Sequence, residues 1–549
     1  MTVDAPTKFP ARVHASKLVA ELIKLMPEGD RSGNHAIFVQ GSPVMFRDDT
    51  DHELPFHQEA NFNYLTGAHD VISASVLVTF SGSDGSDVQH TLFIPPADPL
   101  QTMWSVAPPT LEEASARFDA GAILSTDELE KTLAQLGGGT LHTLPVTHEF
   151  PPLPSFVTDA MKAHKHCTEH LRRALHITRL TKTPEELELL RKANVITSGA
   201  HEVLMRELGR YAVKRAKATD VGTKGRTGVE GISQWEVESE QDAEALFVAT
   251  CRRMGAEMAY LPIVASGSHA STLHYVCNDR LFPSTATPRA PGDTSFTPRR
   301  LARGCCGDVP EHEHATPTTS LHTSAFEPQV LLVDAGCEWQ GYAADVTRTI
   351  PVGNGGKFTP KAAQIYDIVL RMQKECEERV RVGVHWDELH LHSHRVLIDE
   401  FIKLGIFKGT PEEMLASGLS AAFYPHGLGH SIGLDVHDSL QYLREVKVDA
   451  PTTASAPAKL FTYLRIRQFL AAGMVLTIEP GCYFPPQLLD MHGVWESALV
   501  DHDVLKTYLS VGGVRIEDSV VVRDGGPCEN LTHVGRERAW VEACAAGLE

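Results

Sequence analysis

Acidic residues sit at the ends of apolar runs at several points in this chain, and that pattern restricts the fold more than any other feature. In "VLLVDAGCEWQGYAADVTRTIPV" an apolar strand over 330–333 ends in Asp334, Ala335-Gly336 opens a turn region, and a second strand runs through Asp345 to Ile350. In "GMVLTIEPGCYF" Glu479 ends a strand before the Pro480-Gly481 turn; in "GGVRIEDSVVV" Arg515 and Glu517, two apart, share a strand face. A carboxylate among apolar neighbours is costly unless its charge is compensated. An Arg515–Glu517 ion pair would compensate one of the four. Asp334 and Asp345 read as opposite arms of a β-hairpin, where cross-strand neighbours lie about 5 Å apart, so both can face the same cations.

A histidine-rich segment joins them. "FYPHGLGHSIGLDVHD" (423–438) carries His426, His430 and His437 among Gly427, Gly429 and Gly433, glycines that let the backbone turn tightly round a crowded site. The stretch alone does not say which imidazole does what. Four carboxylates plus one imidazole form a hard, thiolate-free donor set, suited to Mn²⁺, Co²⁺ or Fe²⁺ better than to structural zinc. Their four negative charges balance two divalent ions, and a pair about 3.5–4 Å apart can share one hydroxide as nucleophile.

Composition narrows the partners. The formal net charge is −20, spread along the chain, which argues against nucleic acid and anionic membrane as partners. No apolar run reaches the roughly 20 residues a membrane span needs. The N-terminal stretch "MTVDAPTKFPARVHASKLVAELIKLMPEGD" does not read as a secretory signal. Ten cysteines in 549 residues are dilute and read as reduced thiols of a cytoplasmic protein.

The length calls for two domains. Residues 1–180 read as a smaller mixed α/β domain, with helical spacing at Leu18, Leu22 and Leu25 and strands in "HAIFVQG", "SASVLVTFSG" and "HTLFIPP". A helix then begins with Thr183 as cap, Pro184 in its first turn and Glu186 closing a capping box. Leu187, Leu190, Ala193, Ile196, Ala200, Val203 and Leu204 form its apolar stripe. Residues 181–549 form the second domain. Stretches 214–233, 284–320 and 449–459 lack apolar periodicity and read as inserted surface loops. Cys305, Cys306, His312 and His314 in the second match no zinc spacing. The histidines of "HWDELHLHSH" (385–394) open a long helix and read as solvated or packing residues.

In order and in residues, the segments "ELPFHQEANFNYLTG", "ASGSHASTLHY", "LLVDAGCEWQGYAADVTRTIP", "FYPHGLGHSIGLDVHD", "TIEPGCYF" and "VRIEDSVVV" resemble the metallopeptidase family that contains Xaa-Pro aminopeptidase and prolidase. The resemblance covers most of the chain. It implies an α/β (α+β) protein: an N-terminal aminopeptidase-P-like domain, then a catalytic domain with the pita-bread fold. It implies two metal ions per subunit, Mn²⁺ first and Zn²⁺ also compatible, held by Asp334, Asp345, His430, Glu479 and Glu517. It also implies that His437 contacts the substrate carbonyl or its tetrahedral intermediate, that His274 lies near the scissile nitrogen, and that His426 either supports the ligands from behind or forms the pocket wall. Glu479 would carry the water proton to the leaving proline nitrogen, while Arg465 and Arg515 serve substrate binding, Arg515 chiefly by supporting Glu517. The expected reaction is removal of the residue before proline from peptides with an N-terminal Xaa-Pro, by attack of a metal-bridging hydroxide. Cleavage restricted to Xaa-Pro dipeptides is the nearer alternative. A non-catalytic binding module on the same fold, or hydrolysis of another amide or phosphorus ester, is the more distant one. The family is commonly dimeric, so a homodimer is expected.

Overall fold

The protein is described by a computed structural model over residues 8–136, 139–217, 235–283, 325–445, 453 and 455–548. Cys305, Cys306, His312 and His314, with all of 284–320, residues 218–233 of the first insertion and 449–452 and 454 of the third, lie outside those residues. The chain forms two compact units. One comprises Met1–Leu190, Trp339–Tyr342 and Gly433–Glu445; the other comprises Arg191–Glu338, Ala343–Ile432 and Val446–Glu549. The sequence places a single division at 180/181; by its contacts the chain returns twice to the first unit.

The first unit is built on a six-stranded sheet. Its strands are β1 (Asn34–Gln40), β2 (Ser75–Ser81), β3 (Ser86–Ile94), β4 (Ala122–Ser125), β5 (Thr140–Thr143) and β6 (Lys165–Cys167), in the order β4-β3-β2-β1-β5-β6. Only β2 runs against its neighbours. The three strand-like runs of the sequence are β1, β2 and β3. Helix α1 (Ala11–Leu25) buries Leu18 and Leu22 together with Ala11, Ala15 and Val19, while Leu25 is only half-buried. Phe38, Leu77, Phe93 and Leu141 pack into one core, each side chain contributing about 1.5–3 kcal/mol by leaving water.

Helix α2 (Leu171–Leu180) precedes α3 (Pro184–Lys217). The capping box of α3 forms as read: Thr183 N–H donates to Glu186 Oε2 (2.8 Å), and Glu186 N–H to Thr183 Oγ1 (3.4 Å). Its stripe holds at Leu190, Ala193, Ile196, Ala200 and Leu204, but Val203 faces solvent and Leu208 is buried instead. Residues 214–217, read as loop, continue the helix.

The second unit packs helices α4 (Glu240–Arg253), α5 (Pro360–Glu377) and α6 (Trp386–Lys403) with short antiparallel sheets. In one sheet β8 (Gln329–Asp334) lies between β7 (Ile263–Ser266) and β9 (Thr347–Val352). Strand β10 (Val475–Ile478) pairs with β13 (Asp518–Val521), and β11 (Gly481–Tyr483) with β12 (Gly513–Arg515). Val330 and Leu332 of β8 share a core with Ile365, Tyr366 and Val369 of α5, Leu397 and Phe401 of α6, and Tyr483 and Val514. The hairpin expected around the two aspartates exists, with a correction: Asp334 pairs with Thr347, and Asp345 lies just ahead of β9, outside the ladder. The Arg515–Glu517 strand is likewise broken, for Glu517 falls between β12 and β13. Its N–H bonds Thr347 O at 3.1 Å.

The 385–394 histidines pack; they are not solvated. His385, His390 and His394 are buried and His392 half-buried. Their partners are Leu460 O for His390, Glu375 for His392 and Ser420 for His394. Seven of the described cysteines are free thiols; Cys277 is disulfide-bonded, so the reading of reduced thiols does not extend to it.

Candidate metal centre

Strand ends deliver the donors. Asp334 closes β8, Asp345 precedes β9, Glu479 follows β10 and Glu517 precedes β13. The segment carrying His430 runs beside β10: Thr477 N–H donates to His430 O at 2.9 Å, and His430 N–H to Thr477 Oγ1 at 3.0 Å. This approach requires Gly429, because a Cβ there would collide with Thr477 O. One candidate ligand atom each from Asp345, His430 and Glu517 lies within 4.8 Å of the others, and all three residues are buried. His430 Nε2 is 3.3 Å from Asp345 Oδ2 and 3.6 Å from Glu479 Oε1. His430 Nδ1 faces Ser431 O at 3.2 Å. Donation there leaves Nε2 as the lone pair turned to the carboxylates.

Two residues knit the acids together. The Tyr260 hydroxyl lies 2.6 Å from both Asp334 Oδ1 and Asp345 Oδ1. Arg515 donates to Asp334 Oδ2 (2.5 Å), Thr347 Oγ1 (3.1 Å) and the Tyr483 hydroxyl (3.0 Å). Thr347 in turn donates to Glu517 Oε2 at 2.7 Å, whereas Glu517 Oε1 is buried with no hydrogen-bond partner.

The electrostatics fit a cation. Burial, with the Asp345 charge adding to it against Arg515, pushes the Asp334 carboxyl up to about 7. Burial and repulsion from Asp345 and Glu479 push Glu517 well above the carboxylate range, and burial raises Glu479. Left to themselves these acids would hold protons; divalent cations supply the missing positive charge. An orphaned buried oxygen, a correctly turned imidazole and three further acids constitute a donor set that such ions match.

Around this set, His426 is half-buried. Its Nδ1 meets Gly427 O at 2.8 Å, its Nε2 meets the Tyr483 hydroxyl at 2.8 Å, and Glu479 Oε2 lies 3.7 Å from Nδ1. Burial, reinforced by the Arg515 charge, drives its pKa down to about 3. His274 is exposed. Partial desolvation lowers its pKa first, and then the charges of Arg465 and Arg515. Arg465 is half-buried and its charge is felt by His430 and Glu479 as well. His437 belongs to the first unit, half-buried on a turn between Asp435 and Asp438. The donor bonds of Arg515 run to Asp334, Thr347 and Tyr483, so they fix the Asp334 carboxylate and, through Thr347, that of Glu517. Tyr260 and Thr347 were missed from sequence. Thr347 stands in the quoted "DVTRT", but nothing marks a threonine there as more than a strand residue, and Tyr260 in "MAYLPIV" reads as core.

Residues 188–524 match metallopeptidase family M24, and residues 14–143 match the aminopeptidase P N-terminal domain. The chain belongs to metallopeptidase family M24. It is therefore an enzyme of a family that uses divalent metal ions. A probable Xaa-Pro aminopeptidase of Metarhizium acridum is 35% identical over 98% of this chain and 90% of its own length. One of Paracoccidioides brasiliensis is 36% identical over 96% and 94%. Among solved structures, aminopeptidase P from E. coli in its low-pH form superposes with a TM-score of 0.66 at 25% identity, covering 98% of this chain and 99% of that one. Proline aminopeptidase P II from Yersinia pestis gives the same score and identity over 98% and 100%. The mixed α/β architecture with a pita-bread catalytic half is thus that of aminopeptidase P. Among the described residues no helix is long and apolar enough to cross a membrane.

Proposed function

We infer that this chain is a metal-dependent Xaa-Pro aminopeptidase, removing the first residue from peptides with proline in second position. The observation that carries it is the convergence of Asp345, His430 and Glu517 on one point, within a chain similar over nearly its whole length to probable Xaa-Pro aminopeptidases. Asp334, Asp345, His430, Glu479 and Glu517 would hold two ions, Mn²⁺ by donor hardness, and four carboxylates supply the charge for two. When bound, such ions provide Lewis-acid chemistry at the scissile carbonyl and lower the pKa of water.

The protein's own groups do the rest. Glu479, raised by burial and beside His426 and His430, is placed to take a proton from water and return it to the proline nitrogen. Like any amide nitrogen, it departs as an amine only once it has been protonated. His426, held neutral, lines the pocket. His274 is assigned to the substrate near the scissile nitrogen and His437 to its carbonyl. Arg465 bonds the peptide beyond proline, while Arg515 holds Asp334 and Glu517's partner Thr347 in place by its hydrogen bonds. We assign the catalytic machinery to residues 181–549 and a homodimeric assembly, and we place the chain in the cytoplasm, which the seven free thiols among the described residues favour and the bonded Cys277 does not.

The test compares an Xaa-Pro dipeptide, an Xaa-Pro-Yaa tripeptide and an Xaa-Ala-Yaa control, with Mn²⁺ and with EDTA. An aminopeptidase cuts the tripeptide at least as fast as the dipeptide, spares the control and stops in EDTA. Cleavage of the dipeptide alone would make it a prolidase.

A further inference from the structure

Glu240 is fully buried on the first turn of α4. A carboxylate at that depth needs every lone pair used, and its oxygens divide one loop between them. Oε1 accepts from Ser266 N–H (2.7 Å) and Ser266 Oγ (2.8 Å), with His269 Nδ1 at 3.3 Å. Oε2 accepts from the Tyr275 hydroxyl (2.9 Å) and Arg280 N–H (3.0 Å). The ends of the loop are tied again, for Arg280 Nη1 donates to Ser266 O at 2.7 Å and Glu240 N–H donates to Arg280 O at 3.0 Å. One carboxylate therefore grips the start, the middle and the end of the segment 266–280.

His274 lies inside that segment. It is exposed while its neighbour Tyr275 is buried, so the placement of its ring is inherited from backbone that Tyr275 anchors. Tyr275 also reaches Asp279 Oδ1 at 2.8 Å and packs its ring on His269, centroids 4.4 Å apart. We propose that Glu240 is a positioning residue for the peptidase reaction: it makes no contact with the donor set and acts by holding the loop that presents His274. The proposal rests on the role assigned to His274 above.

Glu240→Gln isolates the effect. The amide oxygen can still serve Ser266, but the amide nitrogen meets Arg280 N–H donor to donor, freeing the far end of the loop. The experiment is a double-mutant cycle of Glu240→Gln and His274→Ala, read as kcat/KM on an Xaa-Pro-Yaa tripeptide, with bound Mn²⁺ and Tm measured on every variant. Glu240→Gln is expected to lower kcat/KM about tenfold in the parent, as misplacement of a reacting group does, at unchanged metal content. In the His274→Ala background it should lower it by less than about twofold, because coupled residues are non-additive. An equal loss in both backgrounds, or none in the parent, overturns the proposal while leaving His274 catalytic. Full activity in His274→Ala would instead remove the role of His274, and this proposal with it. Should Glu240→Gln fail to fold, Tyr275→Phe, which removes the hydroxyl that meets Glu240 and Asp279, enters the same cycle with a loss of about threefold expected in the parent only.

Discussion

Two buried clusters of charge in this chain are built on opposite principles. In the first unit Arg179 bonds Asp435 (2.6 Å) and Asp438 (2.5 Å), Lys182 bonds the other oxygen of Asp438 (2.9 Å), and Arg179 also donates to Asn61. Burial would raise the Asp438 carboxyl, but Arg179 and Lys182 outweigh it and hold it below its ordinary range. In the second unit four acids have Arg515 bonded to one of them, Asp334, and Asp334, Glu479 and Glu517 are all raised. Burial is common to both clusters, so depth does not explain the difference; the number of cations the chain itself supplies does. A cluster that closes on its own cations is structural. One left with excess negative charge is built for cations from outside.

The largest effect expected from this contrast is loss of turnover on removing a ligand or the metal. His430→Ala or saturating EDTA should lower the tripeptide rate about 10³-fold or more, against the scale of enzymatic rate enhancement; Mn²⁺ should restore the EDTA-treated parent but not the variant. Activity that survives in chelator would erase the distinction between the clusters. Next comes Asp438→Asn, which takes the carboxylate from Lys182 and leaves Arg179 with that of Asp435 alone, and should cost about 3 kcal/mol in urea unfolding. Glu479→Gln should slow turnover about 10²-fold while retaining metal, since the amide keeps a ligating oxygen but carries no proton. Glu517→Gln sharpens the comparison most directly. In metal-free protein it replaces a carboxyl that burial and the neighbouring acids already favour in its protonated form, so urea stability should be unchanged or higher, within about 1 kcal/mol of the parent. A loss like that of Asp438→Asn would mean the acids are already compensated.

The smallest effect concerns a buried pair of histidines. His142 Nε2 lies 3.1 Å from His35 Nδ1, and burial followed by the His35 charge depresses His142 from 6.5 to about 3. The unfolded chain takes up this proton near pH 6.5 and the folded chain refuses it until about 3. Its stabilising contribution is therefore complete above 6.5 and lost as pH falls through that window. The fall of Tm between pH 6.5 and 4 should be slightly shallower in His142→Gln; an unchanged slope would show that the pair does not govern acid sensitivity.

Local signals survived translation into structure best. The capping box at Thr183 and Glu186, the strands β1 to β3, and acids at the ends of apolar runs were all legible, because each depends on neighbours in the chain. The cluster of Asp345, His430 and Glu517 followed from donor chemistry plus family resemblance. What escaped depends on partners far along the chain. Tyr260 meets Asp334 and Asp345 across 74 and 85 positions, Thr347 meets Glu517 across 170, and neither has a local signature. The histidines of α6 were open to either reading, solvated or packing; the helix turns His390 and His394 inward, where Leu460 O and Ser420 satisfy them, a choice that nothing local in the sequence makes.

The origin of the donors from separate strand ends bears on synthesis. Asp334 and Asp345 leave the ribosome first, His430 and Glu479 follow, and Glu517 comes last, its carboxylate set by Thr347 of a strand made long before. Until β12 and β13 join β11 and β10, the nascent chain offers scattered acids with no common focus. The proposed donor set is therefore complete only when Glu517 has been made and β13 has paired, so discrimination among ions by the geometry of all five donors belongs to the finished fold.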